Sequence, residues 1–253
     1  LMRYREACGE NIGEIPAGLY PGEYLKGAGE ALRAKYGDAL LRKPHEEQIA
    51  LAKPITLDCM MALIRHDLAD MGIVHDIFTS EKKLRDDHKI EQAIETLDKL
   101  GHLYRGVLEA PKGETPVDWE AKEQLLFRAS NFGDDADRTV QKSNGEFAYF
   151  AGDLALTADK ISRGYDELIY MLGADHGGYV KRLEAITTAL SEGRVKADVK
   201  LCQLVHLFKN GEPVRMSKRA GNFVTVRDVL DEVGTDILRF VMLMRKNDQS
   251  MDF

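Results

Sequence analysis

Apolar residues recur along this chain at two spacings, and the switches between them mark out its elements. Residues 22–37, "GEYLKGAGEALRAKYG", carry a helical pattern weakened by Gly27 and Gly29. A better helical stripe follows in Leu57, Met61, Ile64, Leu68 and Met71. It is read from Ile55 onward, with Pro54 at its start and Gly72 at its end. "IVHDIF" at 73–78 has the β-branched and aromatic content of a strand. Ile90, Ala93, Ile94, Leu97 and Leu100 give another helix, stopped by Gly101.

From His102 to about Asn144 the texture changes to short apolar runs split by Pro, Gly and Asp. "APKGETPVDW" reads as a loop, "QLLFRAS" and "RTVQK" as strands, and Ser143-Asn144-Gly145 as a turn. An alternation follows. Strand "FAYFAG" leads to a helix near 156–162, and strand "ELIYMLG" to a helix through Val180, Leu183, Ile186 and Leu190. Strand "VKLCQLVHLF" precedes an Asn210-Gly211 hairpin turn, and residues 225–245 are helical. Alternating strands and helices with near-continuous apolar runs predict an α/β fold with a parallel sheet covered on both faces. The chain divides as 1–101, mostly helices with one sheet strand; 102–144, a β-rich insertion; 145–224, a second α/β stretch; and 225–253, helical.

Composition narrows the function classes. The 253 residues are 44% hydrophobic, enough for a real core, and carry a net charge of −7. That balance argues against coating nucleic acid by broad electrostatics, so any polyanion contact should be a local patch. Three scattered cysteines, Cys8, Cys59 and Cys202, have no zinc spacing and predict reduced thiols and no structural metal. With no apolar run long enough for a bilayer and no signal peptide, a cytosolic protein is the plain reading. Both ends are abrupt, as expected for a piece of something longer.

Candidate chemistry lies at strand C-termini, where open α/β sheets bind ligands. In "YFAGDLA", Tyr149 and Asp153 are four apart and suit a cation, best a guanidinium gripped bidentately. The alternative is that Asp153 caps a helix and Tyr149 is core. In "GADHGGYVKR", Gly173, Asp175 and His176 precede two glycines that open a helix, a turn suited to phosphate or sugar hydroxyls. In "EPVRMSKRAGNF", Arg215, Met216, Ser217 and Lys218 form a basic stretch. It is either an exposed loop or a latch that neutralises phosphate charge in the transition state.

"RMSKRAG" resembles the KMSKS-type loop of class I aminoacyl-tRNA synthetases. Nearly the whole chain is similar to their arginyl branch of bacterial type, through "RYREACG", "LFRASNFGDDADRTVQKSNGEFAYFAGDLA", "GADHGGYVKRLEAI", "VKLCQLVHLFKNGEPVRMSKRAGNFVTVRDVLDEVGTDILRF" and "RKNDQSMDF" in family order. The resemblance implies a Rossmann-like catalytic domain, with residues 225–253 opening a stem and anticodon-binding region. It implies that arginine and ATP give arginyl-adenylate and pyrophosphate, and that the arginyl group then passes to tRNA(Arg), the first step needing bound tRNA. Tyr149 and Asp153 then match the arginine-binding pair, and His176 a further catalytic or substrate-site group. Gly173 and Asp175 match the nucleotide turn, and Arg215, Met216, Ser217 and Lys218 the ATP loop. Lys218 would stabilise the leaving pyrophosphate, with Mg²⁺ sharing the charge. A monomer at full length is implied.

The chain departs from the family at the first loop lysine, which is Arg215 here, and in having no His-x-Gly-His motif. That missing half is expected upstream of Leu1, so the chain as given is expected not to activate arginine. The other readings are a non-catalytic relative that binds arginine or a nucleotide, and a general nucleic-acid-binding protein, which the acidic charge disfavours.

Overall fold

The computed structural model describes residues 1–16, 18–108, 121–209, 211–214 and 224–253, with Lys209 described in its backbone only. They form two compact units. One comprises Leu1–Asp76, His206–Lys246 and Asp252–Phe253; the other comprises Ile77–Val205 and Asn247–Met251.

The first unit opens with α1 (Met2–Ala7), which packs on α2 (Lys26–Tyr36). Gly29, which weakens the helical pattern, is there for contact: a Cβ at that position would fall 2.3 Å from the Arg3 carbonyl oxygen. Tyr4 is fully buried and donates its hydroxyl to the Gly37 carbonyl at 2.8 Å, beside Leu32 and Leu40. The next helix, α3, runs over His45–Asp70. It starts ten residues earlier than the stripe from Ile55 suggests and holds Pro54 in its interior. Glu46 and Glu47 sit at its positive N-terminal end, and a proline removes only one rung of so long a ladder. The expected core stripe is largely exposed at Leu57 and Ile64, and Ala52 is the buried position of this helix. Gly72 ends it in a left-handed conformation (φ 71°). Residues 73–78 are not a strand: an extended run needs a neighbour's ladder, and none forms there among the described residues.

The second unit begins with α4 (Glu81–Asp86), capped by Ser80, and α5 (Lys89–Lys99), whose Ile90, Ala93 and Leu97 are buried. A three-stranded antiparallel meander follows: β1 (Leu103–Gly106), β2 (Gln124–Phe127) and β3 (Arg138–Gln141). The "APKGETPVDW" loop lies outside the described residues. "FAYFAG" is not a strand. After an isolated bridge from Phe147 to Gln141 the chain enters α6 (Tyr149–Ser162). Phe150 and Leu154, and Ala151 and Ala155, pair at helical spacing and enter the core, so period four prevails over β propensity.

Next come β4 (Glu167–Gly173), α7 (Val180–Ser191) and β5 (Lys196–Cys202), a unit whose strands are parallel from Glu167↔Lys196 to Gly173↔Cys202. The strand predicted through Phe208 ends at Cys202, where its partner ends. In this unit α6 packs on α5 and α7. Small buried residues, Ala151 and Ala155 on α6 and Ala185 and Ala189 on α7, share this core with the larger Phe127, Val140 and Ile186. On β4, Leu168 and Tyr170 are buried while Ile169 and Met171 are each 61% exposed. The sheet is therefore covered on one face of this strand, not both.

The chain returns to the first unit with the hairpin β6 (Phe208–Lys209) and β7 (Glu212–Pro213), turning at Gly211 (φ 80°); Asn210 lies outside the described residues. The expected C-terminal helix is two, α8 (Val226–Val233) and α9 (Thr235–Leu243), broken at Gly234 with φ 78°. Arg227 pairs with Asp70 at 2.5 Å, and Arg239 donates to the Met71 carbonyl at 2.7 Å, fastening both helices to the end of α3.

Leu154→Ala, in the core of the second unit, should lower stability by about 2–5 kcal/mol. Ile169→Ala on the open strand face should stay within about 0.5 kcal/mol. Urea unfolding followed by circular dichroism compares them; equal losses would contradict this one-faced packing.

Candidate functional site

Tyr149 opens α6, and Asp153 follows one turn later on the same side of the helix. The N-cap position belongs to Ala148, so Asp153 is not the cap of this helix. Tyr149 is 73% exposed and thus not a core residue. Both alternatives left open by the sequence are removed by the helix beginning earlier than expected.

Across from them stands the start of α4. Thr79, Glu81 and Leu84 join Tyr149, Gly152, Asp153 and Leu156 around a hollow of about 140 Å³, all within the second unit. Gly152 faces α4 here: a Cβ on it would lie 3.7 Å from the Glu81 Oε1, in ordinary contact. That oxygen accepts a hydrogen bond from Arg85 Nη2 at 2.8 Å, one turn along α4. Asp153 has no hydrogen bond or ion pair among the described residues. Burial pushes its carboxyl up to about 6, Glu81 adds like-charge repulsion, and Arg182 and Lys160 partly oppose the rise. Lys160 lies over the Tyr170 ring at 4.2 Å from the centroid, and burial lowers its pKa. The hollow therefore presents two neighbouring carboxylates, one without a counter-ion, beside an open aromatic ring. That is an arrangement for a cation.

Glu81 was not among the sequence candidates. In "TSEKKL" it reads as an acidic first-turn residue behind a Ser80 cap, with Arg85 as its helical partner. Only the packing of α4 against α6 shows that it also faces Gly152.

Gly173, Asp175 and His176 lie together at the C-terminal end of β4, in a tight turn spanning Ala174–Tyr179. A Cβ on Gly173 would fall 2.5 Å from Asp175 Oδ1, so glycine lets that carboxylate fold back over the strand end. Asp175 and His176 are exposed, with His176 Nε2 3.8 Å from Asp175 Oδ2 and its ring tilted against Tyr179 at 5.8 Å. His176 does not line the hollow around Asp153. Arg215, Met216, Ser217 and Lys218 lie outside the described residues.

Residues 149–253 match the family model described as tRNA synthetases class I (I, L, M and V). Arginine–tRNA ligases of Brucella canis and Brucella anthropi are each 58% identical to this chain over its full length. The chain spans 44% of the length of each. Among solved structures, an arginyl-tRNA synthetase from Campylobacter jejuni superimposes with a TM-score of 0.78 at 31% identity, covering 98% of this chain and 50% of that one. A Mycobacterium tuberculosis methionyl-tRNA synthetase bound by methionyl-adenylate aligns at a TM-score of 0.55 over 82% of this chain and 55% of that one. At 10% identity that second likeness speaks for the fold alone. A helix-flanked parallel β4–β5 pair and end-to-end similarity to ligases of one amino acid agree, and the chain belongs to the arginyl branch of the class I aminoacyl-tRNA synthetases.

Proposed function

We propose that this chain carries the arginine-binding part and the distal ATP-binding part of an arginine–tRNA ligase. The observation that carries the reading is the hollow in which unpaired Asp153, with Glu81 beside it, faces open space next to Tyr149. A substrate guanidinium placed there would supply the counter-ion that Asp153 lacks, Glu81 being already paired with Arg85, and offer its planar N–H edges to the carboxylates, while the Tyr149 ring contributes its face. Lysine's ammonium lacks that fork, so the same pair favours arginine over lysine.

With the side chain so held, the arginine carboxylate attacks the α-phosphorus of ATP, giving arginyl-adenylate and releasing pyrophosphate; the arginyl group then passes to tRNA(Arg). Gly173 and Asp175 would receive the nucleotide at the end of β4, with His176 a polar substrate-site group beside them. Arg215, Met216, Ser217 and Lys218 would form the phosphate loop, Lys218 stabilising the departing pyrophosphate. Among the described residues no cluster of three or more His, Cys, Asp or Glu could hold a metal ion. Magnesium would therefore arrive on the nucleotide's phosphates, its usual mode, and no role assigned to these side chains runs through it. No helix of the described residues is long and apolar enough to cross a membrane; a cytoplasmic, full-length monomer is part of the proposal, with residues 225–253 leading into an anticodon-binding region.

The direct test is arginine- and tRNA-dependent ATP–pyrophosphate exchange on this chain and on one extended to the relatives' full length. Exchange in the extended chain is expected. Its absence there, in a folded protein, would favour a relative that only binds arginine or a nucleotide.

In that extended chain Asp153→Ala should raise the arginine KM about 10- to 150-fold while the ATP KM barely moves. Equal shifts in both would remove the guanidinium role. Lys218→Ala should slow activation with little change in arginine affinity; undiminished turnover would assign the charge to another group.

Affinity should also follow the Asp153 proton. Arginine needs the ionised carboxylate, so binding should weaken as pH falls through about 6, and Asp153→Asn should flatten that dependence. Glu81→Gln removes the like charge, so it should move the Asp153 titration downward while still weakening arginine. A pH-independent wild type, titrated by calorimetry, would contradict the assignment. For stability the sign is that of a raised carboxyl: what the protonated form contributes below the ordinary range is lost as pH rises through about 6.

A further inference from the structure

Arg182, in the first turn of α7, has no role in the site described so far. Its guanidinium lies over the Tyr179 ring, 4.7 Å from the centroid. Its Nε is shut off from solvent without a hydrogen-bond partner. Among the described residues it joins no ion pair. Buried donors are as a rule paired, and one left open marks strain or a missing acceptor. Stacking on a ring fixes the plane of the guanidinium while leaving its N–H edges available.

Its position narrows what that acceptor can be. Arg182 does not line the hollow of Tyr149, Glu81 and Asp153, yet its charge is felt at the Asp153 carboxyl. It stands in the first turn of α7, the helix that packs on α6, three residues after the candidate nucleotide turn ends at Tyr179. The second unit thus holds carboxylates at one place and, past ion-pairing distance, an unengaged fork of donors. A ligand with a cation at one end and an oxyanion at the other fits that polarity.

We propose that Arg182 binds the oxyanion end of the ligand whose guanidinium lies between Asp153 and Glu81. The oxyanion is the α-carboxylate in the free amino acid and the phosphoryl group in the adenylate. The inference rests on the guanidinium reading of the hollow. Its rival is that Arg182 merely buttresses Tyr179 and the turn.

Calorimetry on the chain extended to the relatives' full length, with three probes, separates these: arginine, agmatine (the same guanidinium without the carboxylate) and a non-hydrolysable sulfamoyl analogue of arginyl-adenylate. The wild type should prefer arginine to agmatine roughly tenfold or more. Arg182→Gln should bring the two within about threefold by weakening arginine alone, and Arg182→Lys, which keeps charge but not the fork, should lie between. Loss confined to the sulfamoyl analogue would locate the contact at the phosphoryl group. An arginine-to-agmatine ratio unchanged in both variants, with analogue binding also unchanged or all three probes weakened alike, would overturn the proposal. Asp153→Asn should weaken arginine and agmatine equally; if it affects neither, or the wild type binds neither, the guanidinium site falls and this inference with it. Should Arg182→Gln fail to fold by circular dichroism, Arg182→Lys decides by the same ratio.

Discussion

A carboxylate partly withdrawn from water favours its protonated form unless a cation comes to it. The fold around Asp153 keeps it in that condition. One side of α6 is committed to the core through Phe150, Ala151, Leu154 and Ala155, and this fixes where the other side points. The same helix cannot turn to give Asp153 to water without exposing those residues, nor can α4 withdraw Glu81 without uncovering Leu84. The strength of the core is therefore what holds two like charges close together. Binding sites are commonly made this way, by arranging unfavourable groups on a frame stable enough to bear them.

The frame depends on small residues. Ala151 and Ala155 of α6 and Ala185 and Ala189 of α7 are buried in one core, and larger side chains there would strain the packing that holds the two helices. Movement of α7 would carry the turn at the end of β4 with it, because Tyr179 is directly followed by Val180 at the helix start. The candidate amino-acid hollow and the candidate nucleotide turn thus share one mechanical support. That is an economical way to keep two substrates in register, since misplacement by about 1 Å lowers rates steeply.

Sequence patterns were most informative where an element is closed by its own local chemistry. Helix α5 with its glycine stop, strand β4, helix α7 and the hairpin at Gly211 were all legible, since periodicity and turn residues act within a few positions. Residues 73–78 and "FAYFAG" misled because β-branched and aromatic content describes a surface that could join a sheet, while a neighbour decides whether it does. Pro54 misled in the opposite sense, being tolerated well inside α3. Of the site, Tyr149 and Asp153 were visible as a spaced pair. Glu81 and Arg182 were not, for each has a commonplace local explanation, and their significance comes from partners roughly 30 to 70 positions away.

Asp153 titrating near 6 also gives the hollow a second currency. Linkage is reciprocal: if a proton weakens the hold on a cation, the cation weakens the hold on the proton by the same factor. Filling the hollow with a cation would therefore expel hydrogen ion, more of it in mildly acidic solution than at neutrality. Occupancy of the candidate site by a cation would in effect be a cation-for-proton exchange, and its heat would carry the signature of whichever buffer takes the proton up.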